Sequence, residues 1–402
     1  DLAWNAVKGA AGYRLRIGTD AKFKSPTYLD VPTNAALASA LASLQQYYVS
    51  VHAIDAKGAA LSPESTILAA KTDAAPPAPQ LQIPEYDIPG TLNVGTYNVF
   101  CANCTKSTSE QKPWTERKQL VIDNILNEDL DVVGLQEASQ GWLKDANGKK
   151  YDKSQFEDLV EGLGANWAVT NNNRYNCANP KKSTNCVYTY QGASGGDRIA
   201  YRTDRLALLT AGSIQLPELD ASYTDRFFTW ATFTQLSTGK QFFFGDTHLE
   251  PQKETKAPWT FYNLRQESTQ LILDTIAANN PAGLPVILTG DLQGHKNSKP
   301  DNGPYNLLTA NGLIDPLGNV KGDTPVNATV ITRINTQYNS YNSFQRTALK
   351  QKGVNGQNFD YILTTAMTVL EYETVVNVDK DGKYVGVFPS DHNLLRARLL
   401  LP

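Results

Sequence analysis

No apolar run in this sequence approaches the roughly 18 residues that a membrane-spanning helix needs, which excludes such a helix within it. Basic residues are not in excess either: 37 Lys and Arg stand against 40 Asp and Glu, a formal net charge of −3. Residues 1–73 hold 7 Lys and Arg against 6 Asp and Glu, so the acidic excess lies in the remainder. A protein that grips duplex DNA by charge alone is basic, so any hold on nucleic acid here must be local or assisted by a metal. Methionine occurs once, histidine four times and cysteine four times. The cysteines form two close pairs, Cys101/Cys104 and Cys177/Cys186, and four cysteines allow three connectivities. Cys-x2-Cys is half of a zinc site, but no second close CxxC or His pair accompanies it. The short separations favour local disulfides, Cys101 with Cys104 and Cys177 with Cys186. An even cysteine count, a single Met and abundant Asn, Ser and Thr point to an oxidising, exported setting. The chain opens inside a strand-like run, and the expectation is that a targeting segment has been removed.

What is present is an ordinary globular composition, 41% hydrophobic and 19% charged, in 402 residues, more than one compact core usually holds. Residues 1–73 read as a separate β domain. Tyr13, Leu15 and Ile17 alternate with Arg14, Arg16 and Gly18, and Tyr47, Val49, Val51 and Ala53 repeat the period of two before a turn at Asp55–Gly58. Residues 74–90 are dense in proline, the composition of an extended linker. From 91 to 402 apolar strand-like runs alternate with helical faces such as Leu120, Val121, Asn124 and Ile125, or Leu264, Ser268, Leu271, Ile272 and Ile276. Residues 171–196 form a long Asn-, Tyr- and Gly-rich loop, either a surface loop stapled by Cys177 and Cys186 or a substrate-contacting rim using Arg174, Tyr175, Tyr188 and Tyr190.

In that second region, polar residues of catalytic type recur at the ends of apolar runs: Thr96-Tyr97-Asn98-Val99, Leu135-Gln136-Glu137, Asp246-Thr247-His248, Thr289-Gly290-Asp291-Leu292-Gln293, Asn358-Phe359-Asp360-Tyr361-Ile362 and Pro389-Ser390-Asp391-His392-Asn393. In this order and spacing they resemble the DNase-I-like endonuclease/exonuclease/phosphatase superfamily, over roughly residues 91–402. The resemblance implies an α/β (α+β) fold, a four-layer α/β/β/α sandwich of two packed mixed sheets, and hydrolysis of phosphate esters with a divalent metal. Trp4, Gly9–Tyr13, Leu44 and Tyr47 likewise make residues 1–73 resemble a fibronectin type III module, a small all-β sandwich with Tyr47 as its corner tyrosine and its first strand truncated. Such modules act as spacers or attach enzymes to polymers.

Phosphodiester hydrolysis needs developing charge neutralised, a water deprotonated and aimed, and the leaving oxygen stabilised. Hard oxygen ligands suit Mg²⁺, with Mn²⁺ or Ca²⁺ as alternatives. By resemblance, Glu137 is the main metal ligand, with Asn98 and Asp391 beside it. His392 is the general base or phosphate-polarising imidazole, with Asp360 as its partner carboxylate. His248 contacts the phosphate or leaving group, and Asp291 orients or activates the attacking water. The family has Asn two residues after that Asp; here it is Gln293, which keeps the amide but adds a methylene. His295 either contributes to the site or is a surface residue, the second being the expectation. Arg198, after Gly195-Gly196-Asp197, either contacts a phosphate or pairs with Asp197 or Asp204.

The leading expectation is a secreted metal-dependent nuclease acting on DNA or RNA phosphodiesters. Asn358-Phe359-Asp360-Tyr361 stands where the inositol-polyphosphate branch carries Trp-x-Asp-Arg, which argues against that branch. The alternatives are a sphingomyelinase-like phospholipid phosphodiesterase, for which no aromatic docking hairpin is identifiable, and a degenerate, non-catalytic binding protein, which only Gln293 supports.

Overall fold

The computed structural model describes residues 2–36, 45–71, 90–104, 110–144, 148–172, 195–220, 224–320, 329–350 and 355–402. Two compact units divide the chain, Asp1–Tyr86 and Asp87–Pro402. The proline-rich stretch expected as a linker lies outside the described residues apart from Gly90. Among the described residues, no helix is long and apolar enough to cross a membrane.

The first unit contains strands β1 (Leu2–Ala3), β2 (Gly12–Gly18), β3 (Thr27–Val31), β4 (Ala35–Ala36), β5 (Gln46–Ile54) and β6 (Leu68–Lys71). An antiparallel sheet runs β3-β2-β5-β6, and β1 pairs with β4. The alternation in β2 has its expected cause: Tyr13, Leu15 and Ile17 are buried, and Leu15, Ile17 and Val49 pack with Trp4 and Tyr47. The Tyr13 hydroxyl accepts a hydrogen bond from the Val7 amide at 2.8 Å.

The second unit contains β7 (Thr91–Asn98), α1 (Trp114–Asn127), β8 (Val132–Gln136), β9 (Trp142–Lys144), β10 (Lys150–Ser154), α2 (Gln155–Leu163), β11 (Trp167–Val169), β12 (Arg198–Arg202), β13 (Leu206–Gln215), β14 (Phe227–Gln235), β15 (Gln241–His248), α3 (Thr260–Asn279), β16 (Val286–Asp291), α4 (Gly303–Ala310), β17 (Val330–Ile334), β18 (Asp360–Thr364), β19 (Thr368–Thr374) and β20 (Leu395–Leu400). One sheet has seven strands in the order β11-β12-β8-β7-β20-β19-β17, the other five in the order β13-β14-β15-β16-β18. Both are mixed: β7/β8, β17/β19 and β15/β16 are parallel, and their other pairings are antiparallel.

Period-2 alternation assigns each strand residue to a layer. Phe242 and Phe244 join Val94, Val132, Ile199 and Ile362 in a core between the two sheets, whereas Phe243 between them packs on the opposite face with Leu288, Tyr361, Ile272 of α3 and Leu308 of α4. On the far side of the seven-stranded sheet, Tyr97, Val133 and Leu135 pack against Val121, Ile122 and Ile125 of α1 and Phe156 and Leu159 of α2. Helices, sheet, sheet and helices therefore form four layers. The apolar face of α1 differs slightly from the sequence reading: Trp114, Arg117, Val121, Ile122 and Ile125 are buried, and Leu126 is exposed.

Candidate active site

The candidate residues lie on one edge of the two-sheet stack because of strand direction. Asn98 ends β7, Glu137 follows β8, His248 ends β15 and Asp291 ends β16. Asp360 begins β18, which runs antiparallel to β16 with Asp291 opposite Asp360, and His392 precedes β20, antiparallel to β7. The parallel register sets His248 beside Asp291, and one residue earlier Thr247 beside Gly290. Gly290 has φ 148°, and a Cβ there would meet the Thr247 carbonyl oxygen at 2.3 Å, so only glycine lets the two strand ends come this close. Two non-glycine residues at the site adopt left-handed backbone, Glu137 at φ 59° and Gln293 at φ 53°, conformations held against an intrinsic cost of about 1–3 kcal/mol each.

Side chains link the edge into a single cluster. Asn98 Nδ2 donates to Glu137 Oε1 at 3.2 Å and to Asp291 Oδ2 at 3.3 Å, and the Cys101 amide donates to Glu137 Oε2 at 2.9 Å. Cys101 and Cys104 are disulfide-bonded. His392 Nδ1 donates to Asp360 Oδ2 at 2.8 Å, which turns Nε2 towards Asp291 Oδ2, 3.8 Å away. Gln293 Nε2 lies 2.8 Å from Asp291 Oδ2 and 3.1 Å from His248 Nε2, and donates to both.

The electrostatics follow from enclosing like charges. Burial, reinforced by Asp360 and opposed by His392, raises Asp291 to about 7. Burial and the neighbouring Glu137 raise Asp391 to about 6, against the pull of His392. For His392, burial disfavours the imidazolium, but Asp360, Asp391 and Asp291 outweigh it and hold the pKa well above the usual histidine range. His248 goes the other way: burial, then Arg226 and His392, push it well below that range. A neutral His248 can accept the Gln293 hydrogen bond.

The profile of the Endonuclease/Exonuclease/phosphatase family matches residues 95–392. The chain belongs to the endonuclease/exonuclease/phosphatase family. Members of this family hydrolyse phosphoester bonds, generally with divalent metals. Solved structures sharing the fold include family proteins from Bacteroides vulgatus (21% identity, 78% of this chain and 99% of that one, TM-score 0.53) and Bacteroides thetaiotaomicron (20% identity, 78% and 98%, TM-score 0.52). A mannosyl-6-phosphatase from Bacteroides thetaiotaomicron also shares it (19% identity, 77% and 100%, TM-score 0.51). No curated protein matches the sequence.

A family metal fits these residues. Glu137 lies close enough to Asp391 to disfavour its charge, and among the described residues nothing hydrogen-bonds the buried Oδ1 of Asp360. Oxygen donors of this kind suit a hard divalent cation. The CxxC sulfurs lie near Glu137 but are tied up in their disulfide, so zinc-thiolate ligation is not available to them.

Asn98, Glu137, His248, Asp291, Gln293, Asp360, Asp391 and His392 thus share one cleft edge, but the expected substrate residues do not all join them. Arg198 is fully buried: its guanidinium donates to the carbonyls of Asn171 at 2.8 Å and Gly195 at 3.3 Å, and to Gln140 Oε1 at 3.2 Å, over the Phe156 ring. It ties loops together and is closed to substrate. Arg174, Tyr175, Tyr188, Tyr190, Cys177 and Cys186 lie outside the described residues. His295 is not the plain surface residue expected: it is half-buried, edge-on to Phe359 at 4.8 Å, and burial with Lys253 and Lys296 lowers it to about 4.

Several supporting residues escaped the sequence reading. Arg117 of α1 is fully buried and donates to the carbonyls of Val99, Phe100 and Pro389, clamping the segments that follow Asn98 and precede Asp391. Ser340 Oγ accepts the amides of Phe359 and Asp360 at 2.9 and 3.2 Å. Arg226 lines the cleft beside Glu137 and His248. The available signal for Arg117 was a cation on an otherwise apolar helical face. For Arg226 it was a cation at the start of the apolar run Phe227–Trp230.

Proposed function

We propose that this chain is a divalent-cation-dependent phosphodiesterase acting on nucleic acid. The observation that carries the reading is the His392–Asp360 hydrogen bond opposite Asp291, with Glu137 and Asn98 joined to the same cluster. Glu137, Asp391 and Asn98 would hold the cation, Mg²⁺ being the best match to an oxygen-only set. When bound, it neutralises charge developing on the phosphoryl oxygens. His392, held as imidazolium by Asp360, donates through Nε2 to a phosphate oxygen. Asp291, raised to about 7, accepts the proton of the attacking water. Gln293 fixes Asp291 and, through His248, the side from which the leaving group departs.

An extracellular setting belongs to the same reading, supported by the paired Cys101 and Cys104. The N-terminal β unit is proposed as a fibronectin type III-like spacer or polymer-binding module. Its support is the alternating β2 and β5 strands with Trp4 on Tyr13, ring centroids 5.4 Å apart. Plasmid DNA, sphingomyelin and an inositol phosphate, each assayed with chelator and with added Mg²⁺, Mn²⁺ or Ca²⁺, test the proposal. Metal-dependent cleavage of the plasmid is expected. Turnover of only the phospholipid or the inositol phosphate, or full activity in excess chelator, overturns it.

A further inference from the structure

Two cavities flank the catalytic cluster and meet at the Gln293–His248 hydrogen bond. One, of about 270 Å³, includes Gln293, His295 and Phe359 in its wall; the other, of about 350 Å³, includes Glu137 and His248. Their charges differ. In the first, Lys253 sits over the Phe359 ring at 4.6 Å, and Lys253, Arg265 and Lys299 share the wall with Glu254 and Asp301. In the second, Arg226 is the one cation among the described lining residues.

Arg226 reaches that cavity through strand register. It precedes β14, which runs antiparallel to β15 with Phe228 opposite Thr247, so Arg226 emerges at the same edge as His248. Its Nε is buried, and no described residue accepts a hydrogen bond from it. Arg226 is half-buried, and a guanidinium that lines a cavity with no acidic partner bonded to its Nε is well suited to grip an oxyanion. The carboxylates around it do not consume the charge. Asp225 accepts from Gln215 at 3.2 Å and lies against Glu218. Asp197 is buried, and burial together with Asp246 disfavours its charge, against the pull of Arg226 and Arg198. Glu137 is committed to the cluster. The field of Arg226 falls on His248 and Asp197, whereas Asp360, Asp391 and Asp291 are the charges that face His392. The cavity that Arg226 lines includes Glu137 and His248 but not Asp291, Asp360 or His392, so Arg226 stands to one side of the reacting phosphate.

We propose that Arg226 forms an anion subsite past His248 that takes the phosphate next to the scissile one, so the preferred substrate is a chain with at least two successive phosphates. This rests on the phosphodiesterase reading and narrows it to an oligonucleotide. The test compares kcat/KM, with Mg²⁺, for bis(p-nitrophenyl) phosphate, a thymidine dinucleotide with one phosphate and a thymidine trinucleotide with two. Wild type is expected to favour the trinucleotide over the dinucleotide at least tenfold. Arg226→Gln is expected to lose at least tenfold more on the trinucleotide than on the dinucleotide, mainly through KM, and Arg226→Lys to recover part of that loss. Equal losses on the two nucleotides, or a loss confined to kcat, overturn the subsite, and Arg226→Lys decides the matter if the Gln variant does not fold. Cleavage of bis(p-nitrophenyl) phosphate without any preference for the trinucleotide sinks the proposal while sparing the phosphodiesterase reading. Inactivity on all three removes both.

Discussion

Two clusters of buried polar groups sit between the same pair of sheets, and they behave oppositely. At the strand ends, Asp291, Asp360 and His392 face the cleft, and charge is separated between an imidazolium and its carboxylates. Two residues back along β15, Asp246 accepts from Gln136 Nε2 at 2.7 Å and Thr289 Oγ at 2.8 Å, while Gln136 also donates to Thr96 at 3.1 Å. Burial raises Asp246 well above the carboxylate range despite those donors. The inner cluster is thus a closed hydrogen-bonded joint between sheets whose acid is disfavoured as a charge, and the outer one faces the cleft with an imidazole held between carboxylates. A buried acid is therefore not functional by burial alone; the sign of the charges around it and its access to the cleft decide.

The strongest test of this contrast removes the cation's main carboxylate. Glu137→Ala is expected to lose activity by about 1000-fold or more, as does wild type in excess chelator, since a metal site supplies several kcal/mol of charge stabilisation. An unimpaired variant would show that the outer cluster does not hold the metal. Next, Asp360→Asn should cost about 10²- to 10⁴-fold in kcat by depriving His392 of its charge and tautomer. Asp246→Asn should stay within about threefold, because an amide keeps the oxygen that accepts from Gln136 and Thr289 and lies away from the cleft. Similar losses in the two variants would erase the distinction. Gln293→Ala should lose at least about tenfold and Gln293→Asn should retain or raise activity, as expected for a positioning amide. If Gln293→Ala matches wild type while Asp291→Ala is dead, the amide has no part in catalysis.

Stability probes the inner joint. A Cβ on Gly134 would meet Asp246 Oδ1 and Thr289 Oγ1 at 2.2 Å, so Gly134→Ala should destabilise by about 1–3 kcal/mol, read as a lowered melting temperature. An unchanged melting temperature would mean the joint can give way. The smallest effect is expected at His295, whose pKa of about 4 lies below that of an unfolded histidine. Between pH 6.5 and 4 the unfolded chain binds a proton that the folded one does not. The stability that His295 contributes is therefore complete above pH 6.5 and is lost as pH falls through this window. His295→Asn should flatten that decline by about a few degrees in melting temperature. An identical pH profile would mean that His295 titrates alike in both states.

Much of the outer cluster was legible because a strand puts its last side chain at the sheet edge. Asn98, Glu137, His248 and Asp291 each close an apolar run, and a polar residue there has only the cleft to face. Asp360 and Arg226 show the limit of that rule. Asp360 opens, and Arg226 immediately precedes, a strand antiparallel to a neighbour, so each lies at the edge where the neighbour ends, and pairing direction is a tertiary fact. Arg198 also opens a strand, yet its guanidinium turns onto the carbonyls of Asn171 and Gly195, which sequence spacing does not reveal. Arg117 was hidden for a related reason: its ligands are carbonyls, which every residue carries.

Asn98, Glu137 and His392 come from one sheet, and His248, Asp291 and Asp360 from the other. Asn98 to Asp291 and His392 to Asp360 are the hydrogen bonds that stitch the two halves together. Catalytic competence is therefore a readout of sheet-to-sheet registry, and sliding one sheet by a single residue would disperse the whole constellation at once, with no partially active intermediate form.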